Sequence, residues 1–343
     1  MNFCTLFNTA YLSRGLVLYQ SLRKHAPDSH LYVFAFDDQV LDYFRKENLP
    51  GLTVISLLEF EDPELLRIKS SRSAAEYCWT CTPSTVLYCI RNYHLDQCTY
   101  VDADLCFYDN PALLMKEMGA DSVQITEHRY TKAYDQSAAS GKYCVQFVTF
   151  RNDTVGMNIL LSWRAACIDW CYARVEEGKF GDQKYLDYWN ERYGHVNELQ
   201  HLGGGLAPWN IQQYRFKSDG NVITGTELVS GKAFQAVFYH FHDLKFYADD
   251  KVALTALLYE VNEEVKHVFY EPYLTALLKT GRKIKQTYPD LDPHGRRDPA
   301  TREPESLLPL PFYYFYYLFR YGDVGGKRLK IKKLHMHLKS ITY

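Results

Sequence analysis

Thr99-Tyr100-Val101-Asp102-Ala103-Asp104 decides how this chain is read. Three residues that favour a strand run straight into two carboxylates two positions apart. Alternate side chains of an extended backbone share one side, so Asp102 and Asp104 point the same way. Like charges held that close raise each other's pKa unless a cation lies between them. Carboxylate oxygens suit a hard divalent ion such as Mn2+ or Mg2+, which keeps positions open for phosphate oxygens. A solvated turn is the plain alternative, and the tripeptide alone does not separate the two.

The flanking sequence favours a ligand site. Phe3 to Phe7 reads as a strand, and Ser13 as the cap of a helix that carries Leu16, Tyr19 and Leu22 and ends near Pro27. Leu31 to Phe36 is a continuous apolar run that stops at Asp37-Asp38, as a strand buried on both faces does. Val54-Ile55-Ser56-Leu57 is another strand. Thr82-Pro83 opens a helix through Val86, Leu87 and Ile90, with proline in its first turn. Pro111 begins a short helix, and Ser122 to Ile125 a further strand. Strands alternating with helices predict an α/β fold with a mostly parallel central sheet flanked by helices. Such sheets bind ligands beyond the carboxyl ends of their strands, at a switch in strand order. Asn8 to Tyr11, Asp37-Asp38 and Asp102 to Asp104 all stand at such ends.

Beyond residue 143 the pattern changes. Val145 to Phe150 is strand-like, a long helix runs from Thr154 towards Glu177, and segments rich in Gly, Trp and His follow. Residues 251–280 read as helix on Ala253, Leu254, Leu257, Leu258 and Val261. Residues 289–311 are rich in Pro, Asp, Arg and Glu, the chemistry of a linker. The organisation expected is a catalytic domain over 1–245, with a nucleotide-binding half (1–125) and an acceptor-side half (143–245). A helical extension (246–288), the linker (289–311) and a basic aromatic tail (312–343) complete it.

Composition removes several classes. The chain has 343 residues with 39 basic and 41 acidic side chains, a formal charge of −2. That balance argues against a protein built to coat nucleic acid. An apolar fraction of 47% excludes wholesale disorder. No run of 18 apolar residues exists, so no transmembrane helix is expected. The first residues read as a strand without a basic n-region, so a cytoplasmic setting with reduced thiols is expected for the nine cysteines. Cys78-x-x-Cys81 and Cys167-x-x-x-Cys171 lack a second pair at zinc spacing, and buried structural cysteine is the better reading. The 29 tyrosines and 19 phenylalanines suit a site that stacks rings, and equally a core.

Two further constellations carry chemistry. His240-Phe241-His242 follows the strand-like Val237-Phe238-Tyr239, and neutral imidazole is a normal Mn2+ partner. His201 competes for that role from the segment His201-Leu202-Gly203-Gly204-Gly205, whose glycines could bring N–H groups close to an anion or simply form a loop. Gly181-Asp182-Gln183 opens a helical pattern. Asp182 there is either a helix cap or, with Gln183, a holder of sugar hydroxyls.

In this order the segments resemble the family-eight retaining glycosyltransferases, the glycogenin-like group with a GT-A (Rossmann-like) fold, over residues 3 to about 245. Cys4 to Gly15, with Leu18 and Ser21-Leu22, is similar to the family's first strand, nucleotide loop and first helix, which implies that Asn8 and Tyr11 contact the uridine. Tyr100 to Asp104 resembles the Asp-x-Asp metal motif. Gly181-Asp182-Gln183 resembles the segment beside the transferred sugar, and Val237 to Phe241 the metal-binding His-Phe segment. The resemblance implies Asp102, Asp104 and His240 as ligands of Mn2+ (or Mg2+), Asp182 and Gln183 as catalytic-site residues that orient sugar and acceptor, and a UDP-sugar as donor. It also implies that the metal bridges the donor phosphates, and that retention proceeds without an agreed protein nucleophile, front-face attack being favoured. The expected acceptor is a glycan, lipid-linked or protein molecule in bacterial surface polysaccharide or glycoconjugate synthesis. Two departures stand out. The family's Asn-x-Gly appears as Cys144-Val145-Gln146, where the larger Gln146 should reshape the sugar side. The Lys-Pro-Trp that follows the family's histidine is missing, which leaves Lys245 and Arg72 as candidate phosphate contacts.

A metal-dependent nucleotidyltransferase or phosphohydrolase also places carboxylates at strand ends, and a catalytically silent sugar-binding protein is the third class. Residues 312–343 hold seven basic side chains against Asp323, a balance of +6, which leaves −8 on the rest. A basic tail full of Phe and Tyr suggests peripheral contact with an anionic membrane; the alternative is a packed helix with a solvated basic end.

Overall fold

The strands follow the apolar runs closely. β1 (Asn2–Phe7), β2 (His30–Ala35), β3 (Leu52–Ser56) and β4 (Gln97–Val101) lie side by side in parallel, in the order β3-β2-β1-β4. The structure, a computed structural model, describes residues 1–302 and 337–341. A short strand β5 (Leu105–Phe107) turns back from β4, and β6 (Val123–Glu127), β7 (Tyr143–Arg151) and β8 (Val196–Glu198) extend the sheet to β3-β2-β1-β4-β7-β6-β8. β7 runs antiparallel to both β4 and β6, while β8 is parallel to β6. The chain is therefore an α/β protein with a mostly parallel central sheet between helical layers. β2 and β4 flank β1 on opposite sides, so strand order reverses at β1 and β4, and the crevice at their carboxyl ends is the favoured ligand position.

The first helix, Leu12–His25, and the helix Asp38–Glu47 cover one face, with Phe3, Leu16, Leu18, Val33 and Phe44 in that core. Asp37, at the end of β2, caps the second of them by accepting the Val40 N–H at 2.9 Å. The helices Ala74–Asn92 and Thr154–Asp169 cover the other face around Cys81, Val86, Phe150 and Trp163.

The helix expected to open at Thr82-Pro83 begins eight residues earlier. Ser73 and Glu76 form a capping box there, and Pro83 lies inside the helix. The Thr82 hydroxyl bonds back to the Cys78 carbonyl at 3.3 Å, supplying a donor in the turn where proline removes one. The helix from Thr154 stops at Asp169, because Trp170 is extended.

β9 (Tyr214–Ser218), β10 (Ile223–Glu227) and β11 (Ala233–Gln235) form a small antiparallel sheet, and β12 (Phe238–His240) pairs antiparallel with β5. A third core gathers Tyr239, Phe241, Phe269, Tyr270 and Tyr273, with the rings of Phe241 and Tyr273 stacked at 3.6 Å. Much of the aromatic content is thus core.

Three expectations need correction. Residues 251–280 are not one helix: β13 (Lys245–Phe246) and β14 (Lys251–Ala253) pair first, and helical backbone starts at Glu263 behind the Asn262 cap and runs to Thr287. Residues 289–302 are no free linker at their start, since Leu291 and His294 are buried and Arg297 bridges Tyr247. Most of 303–343 lies outside the described residues. Within 337–341, β15 (Leu338–Ser340) adds to β14, so that part of the expected tail is a strand of the body.

Candidate active site

The β5–β12 register assembles the site. Asp102 and Asp104 fill the turn between β4 and β5, whose first residue, Leu105, stands opposite His240. The Phe241 N–H donates to the Asp104 carbonyl at 3.1 Å, fixing the two segments against each other. His240 Nε2 then lies 3.1 Å from Asp104 Oδ1 and 3.7 Å from Asp102 Oδ2. One ligand atom from each residue falls within 4.8 Å of the others. Two carboxylates and an imidazole are a donor set suited to Mn2+ or Mg2+, so the residues present fit such an ion.

Charge at the site is divided unevenly. Burial pushes Asp102 up to about 6, against the pull of His240 and with help from the Asp104 carboxylate. Burial works on Asp104 too, but His240, by charge and by hydrogen bond, outweighs it and holds Asp104 at about 2. His240 itself is held above the usual imidazole range, because Asp104 overcomes its desolvation. The Tyr100 hydroxyl donates to Asp102 Oδ1 at 3.0 Å.

Asp182 belongs to the same electrostatic unit. It is 6% exposed, and burial together with the Asp102 charge moves it up to about 7. It caps no helix: Gly181 turns at φ +51°, against the Trp79 ring, and the 3-10 turn Lys184–Tyr188 follows. Trp163 Nε1 holds the Asp182 carbonyl at 2.9 Å, while Gln183 Nε2 donates to the Ser140 carbonyl at 2.6 Å.

The other expected residues divide. Asn8 is exposed at the carboxyl end of β1, and Tyr11 lies three residues on, its ring 4.5 Å from the Arg14 guanidinium. Asp37 holds this loop, accepting from Thr9 N at 2.7 Å and Thr9 Oγ1 at 2.8 Å. Lys245 is committed to Asp243, 2.7 Å away. Arg72 is a strut: it donates to Tyr172 and to the Ile168 and Asp169 carbonyls, closing the end of the helix Thr154–Asp169. His201 Nδ1 accepts the Gly203 N–H at 3.1 Å, and the glycines after it fit against Gln235 and Leu114, so the run is packed backbone and no anion cradle. His242 stays outside the carboxylate group, edge-on to Trp209.

Sequence reasoning missed Arg14. Arg14 is 3% exposed, donates to the Ala10, His294 and Leu244 carbonyls, and contributes to lowering Asp104. It ties three loops at the mouth of the site. A cation directly after a strand-end loop was the available signal. Gln146 lies fully buried, its Oε1 2.9 Å from His240 Nδ1. Cys4, Cys89 and Cys98 converge within 4.8 Å of one another deep in the core, a trio that pair spacing could not reveal. A cleft of about 630 Å3 lies beside the 137–142 segment that receives Gln183, and Glu127, Arg129, Tyr130 and Asp187 help line it.

No family model matches the chain. It is 28% identical over 299 residues to the uncharacterised protein YfnD of Bacillus subtilis (strain 168), covering 84% of this chain and 92% of the relative. A second uncharacterised protein of that strain, YfnF, is 28% identical over 248 residues, 70% of this chain and 80% of that one. Among solved structures, the galactosyltransferase LgtC with donor and acceptor sugar analogues aligns at TM-score 0.49 and 11% identity, over 81% of this chain and 96% of that one. Mouse xyloside xylosyltransferase 1 aligns at TM-score 0.40 and 12% identity, over 61% of this chain and 87% of that one.

Proposed function

We propose that this chain is a metal-dependent glycosyltransferase of GT-A type. It moves a sugar from a nucleotide-sugar donor, a UDP-sugar by the resemblance of its motifs, to a glycan, lipid-linked or protein acceptor. The observation that carries this reading is the meeting of Asp102, Asp104 and His240 at the switch point, with Asp182 electrostatically coupled to them. A divalent cation bound there would stabilise negative charge on the departing nucleoside diphosphate.

This chain's own residues do the rest. Asn8 and Tyr11 receive the base from the loop after β1. Asp182, held near neutrality, faces the transferred sugar as a hydrogen-bond partner. Gln183 ties that segment to the wall of the cleft, where the acceptor enters, so both reactants are positioned from one turn. The product keeps the donor's anomeric configuration. In a bacterial cell the reaction belongs to surface polysaccharide or glycoconjugate synthesis, with the basic residues from Arg320 to Lys333 holding the enzyme at an anionic membrane face from the cytoplasm.

Thermal melting with UDP and Mn2+ tests the reading. A ligand that binds only the folded state stabilises it by RT ln(1 + [L]/Kd). UDP with Mn2+ should raise the melting temperature by several degrees, more than either alone. No shift with the pair at millimolar concentration contradicts a nucleotide-diphosphate site.

A further inference from the structure

Gln146 touches two of the three ligating residues at once. Its backbone carbonyl on β7 accepts the Asp102 N–H at 3.2 Å. Its side-chain Oε1 lies 2.9 Å from His240 Nδ1. The side chain is fully buried, and its Nε2 has no hydrogen-bond partner among the described residues. A buried amide nitrogen without a partner is a net cost that a methionine in the same space would not incur. The benefit of glutamine at this position is therefore at its oxygen.

That oxygen only accepts, so it requires the proton to be on Nδ1 of His240. A neutral imidazole has one N–H. With Nδ1 occupied, the lone pair is on Nε2, the nitrogen that faces Asp104 Oδ1 and Asp102 Oδ2. Outer partners of this kind fix both the ring orientation and the tautomer of a ligating histidine. Gly205 leaves the space that the amide borders: a Cβ there would come 3.2 Å from Gln146 Nε2.

We propose that Gln146 is the positioning residue of the cation site. It holds His240 with Nε2 presented to the two carboxylates, and so sets the affinity of the site for a divalent ion. This rests on the metal-dependent reading above.

The test is Mn2+ binding by the purified full chain, followed by the loss of the free-ion electron paramagnetic resonance signal, with and without UDP. Gln146→Met should weaken binding about 10- to 100-fold in a chain that still folds. Gln146→Glu, which keeps an accepting oxygen, should stay within about threefold of native. Gln146→Leu is the second apolar replacement if Gln146→Met does not fold. Native-like Mn2+ affinity in a folded apolar variant overturns the role of Gln146 and leaves the metal site standing. Failure of the native chain to bind Mn2+ at all overturns the metal-dependent reading, and this inference with it.

Discussion

Asp182 is the residue whose surroundings make the sharpest demand on chemistry. Its folded pKa, about 7, lies above the ordinary carboxylate value of 3.8. The folded state thus binds a proton that the unfolded chain releases, and this contribution to stability is lost as pH rises from about 4 through 7. Asp182→Asn removes the penalty. In metal-free buffer the variant should gain on native from pH 4.5 to pH 7.5, by on the order of 2–4 kcal/mol in urea unfolding, while sugar transfer falls at least tenfold. A stability difference that does not change with pH sinks the assignment of Asp182 to the coupled carboxylates. At this scale the Asp102, Asp104 and His240 group was legible, because two carboxylates at a strand end and a histidine after a strand each have a local signature. Arg72 and Lys245 were not, since a cation's partner is a tertiary fact: one closes a helix end and the other is held by Asp243. Gln146 was noticed as a departure, but its direction depends on which face of β7 it occupies.

The segment 291–297 shows what can and cannot be read at the scale of an element. Its Pro, Asp and Arg residues suggest a linker, yet Ser13 N donates to the Pro293 carbonyl at 2.9 Å and Ser13 Oγ pairs with His294 Nδ1 at 2.9 Å. It is a strap across the start of the first helix, beside the loop of residues 8–11. Gly295 makes this possible at φ +60°, where an added Cβ would sit 2.5 Å from that of Ala10. Gly295→Ala should therefore lower stability by about 1–3 kcal/mol in chemical unfolding and weaken UDP binding through displacement of the loop. Unchanged UDP affinity would show that the strap does not support that loop. Central strands were readable because Leu31 to Phe36 is apolar on both faces and Val145 to Phe150 carries apolar residues on each. Residues 251–261 were misread because Leu254, Leu257, Leu258 and Val261 satisfy a helical stripe, while pairing of β14 with β13 and β15 decides the backbone at its start.

At the scale of the whole molecule the formal charge of −2 conceals an acidic body and a basic end, and no helix among the described residues is long and apolar enough to cross a membrane. Replacing Lys327, Arg328, Lys330, Lys332 and Lys333 by glutamine should weaken co-sedimentation with vesicles rich in phosphatidylglycerol at least tenfold, at about 1 kcal/mol per charge, and spare UDP binding. Equal sedimentation of both proteins refutes the membrane contact. The layered α/β class was legible as alternating strands and helices, but the convergence of β4, β5 and β12 on one site needed the antiparallel β5–β12 pairing, which no local pattern encodes. The most direct measurement follows product formation from a panel of UDP-sugars with Mn2+, comparing the native chain with Asp102→Asn/Asp104→Asn. Release of UDP and free or transferred sugar by the native chain, reduced at least a hundredfold in the double variant at saturating Mn2+, is the predicted result. Phosphate or pyrophosphate as the released product, or equal turnover by both proteins, contradicts a metal-dependent glycosyltransferase.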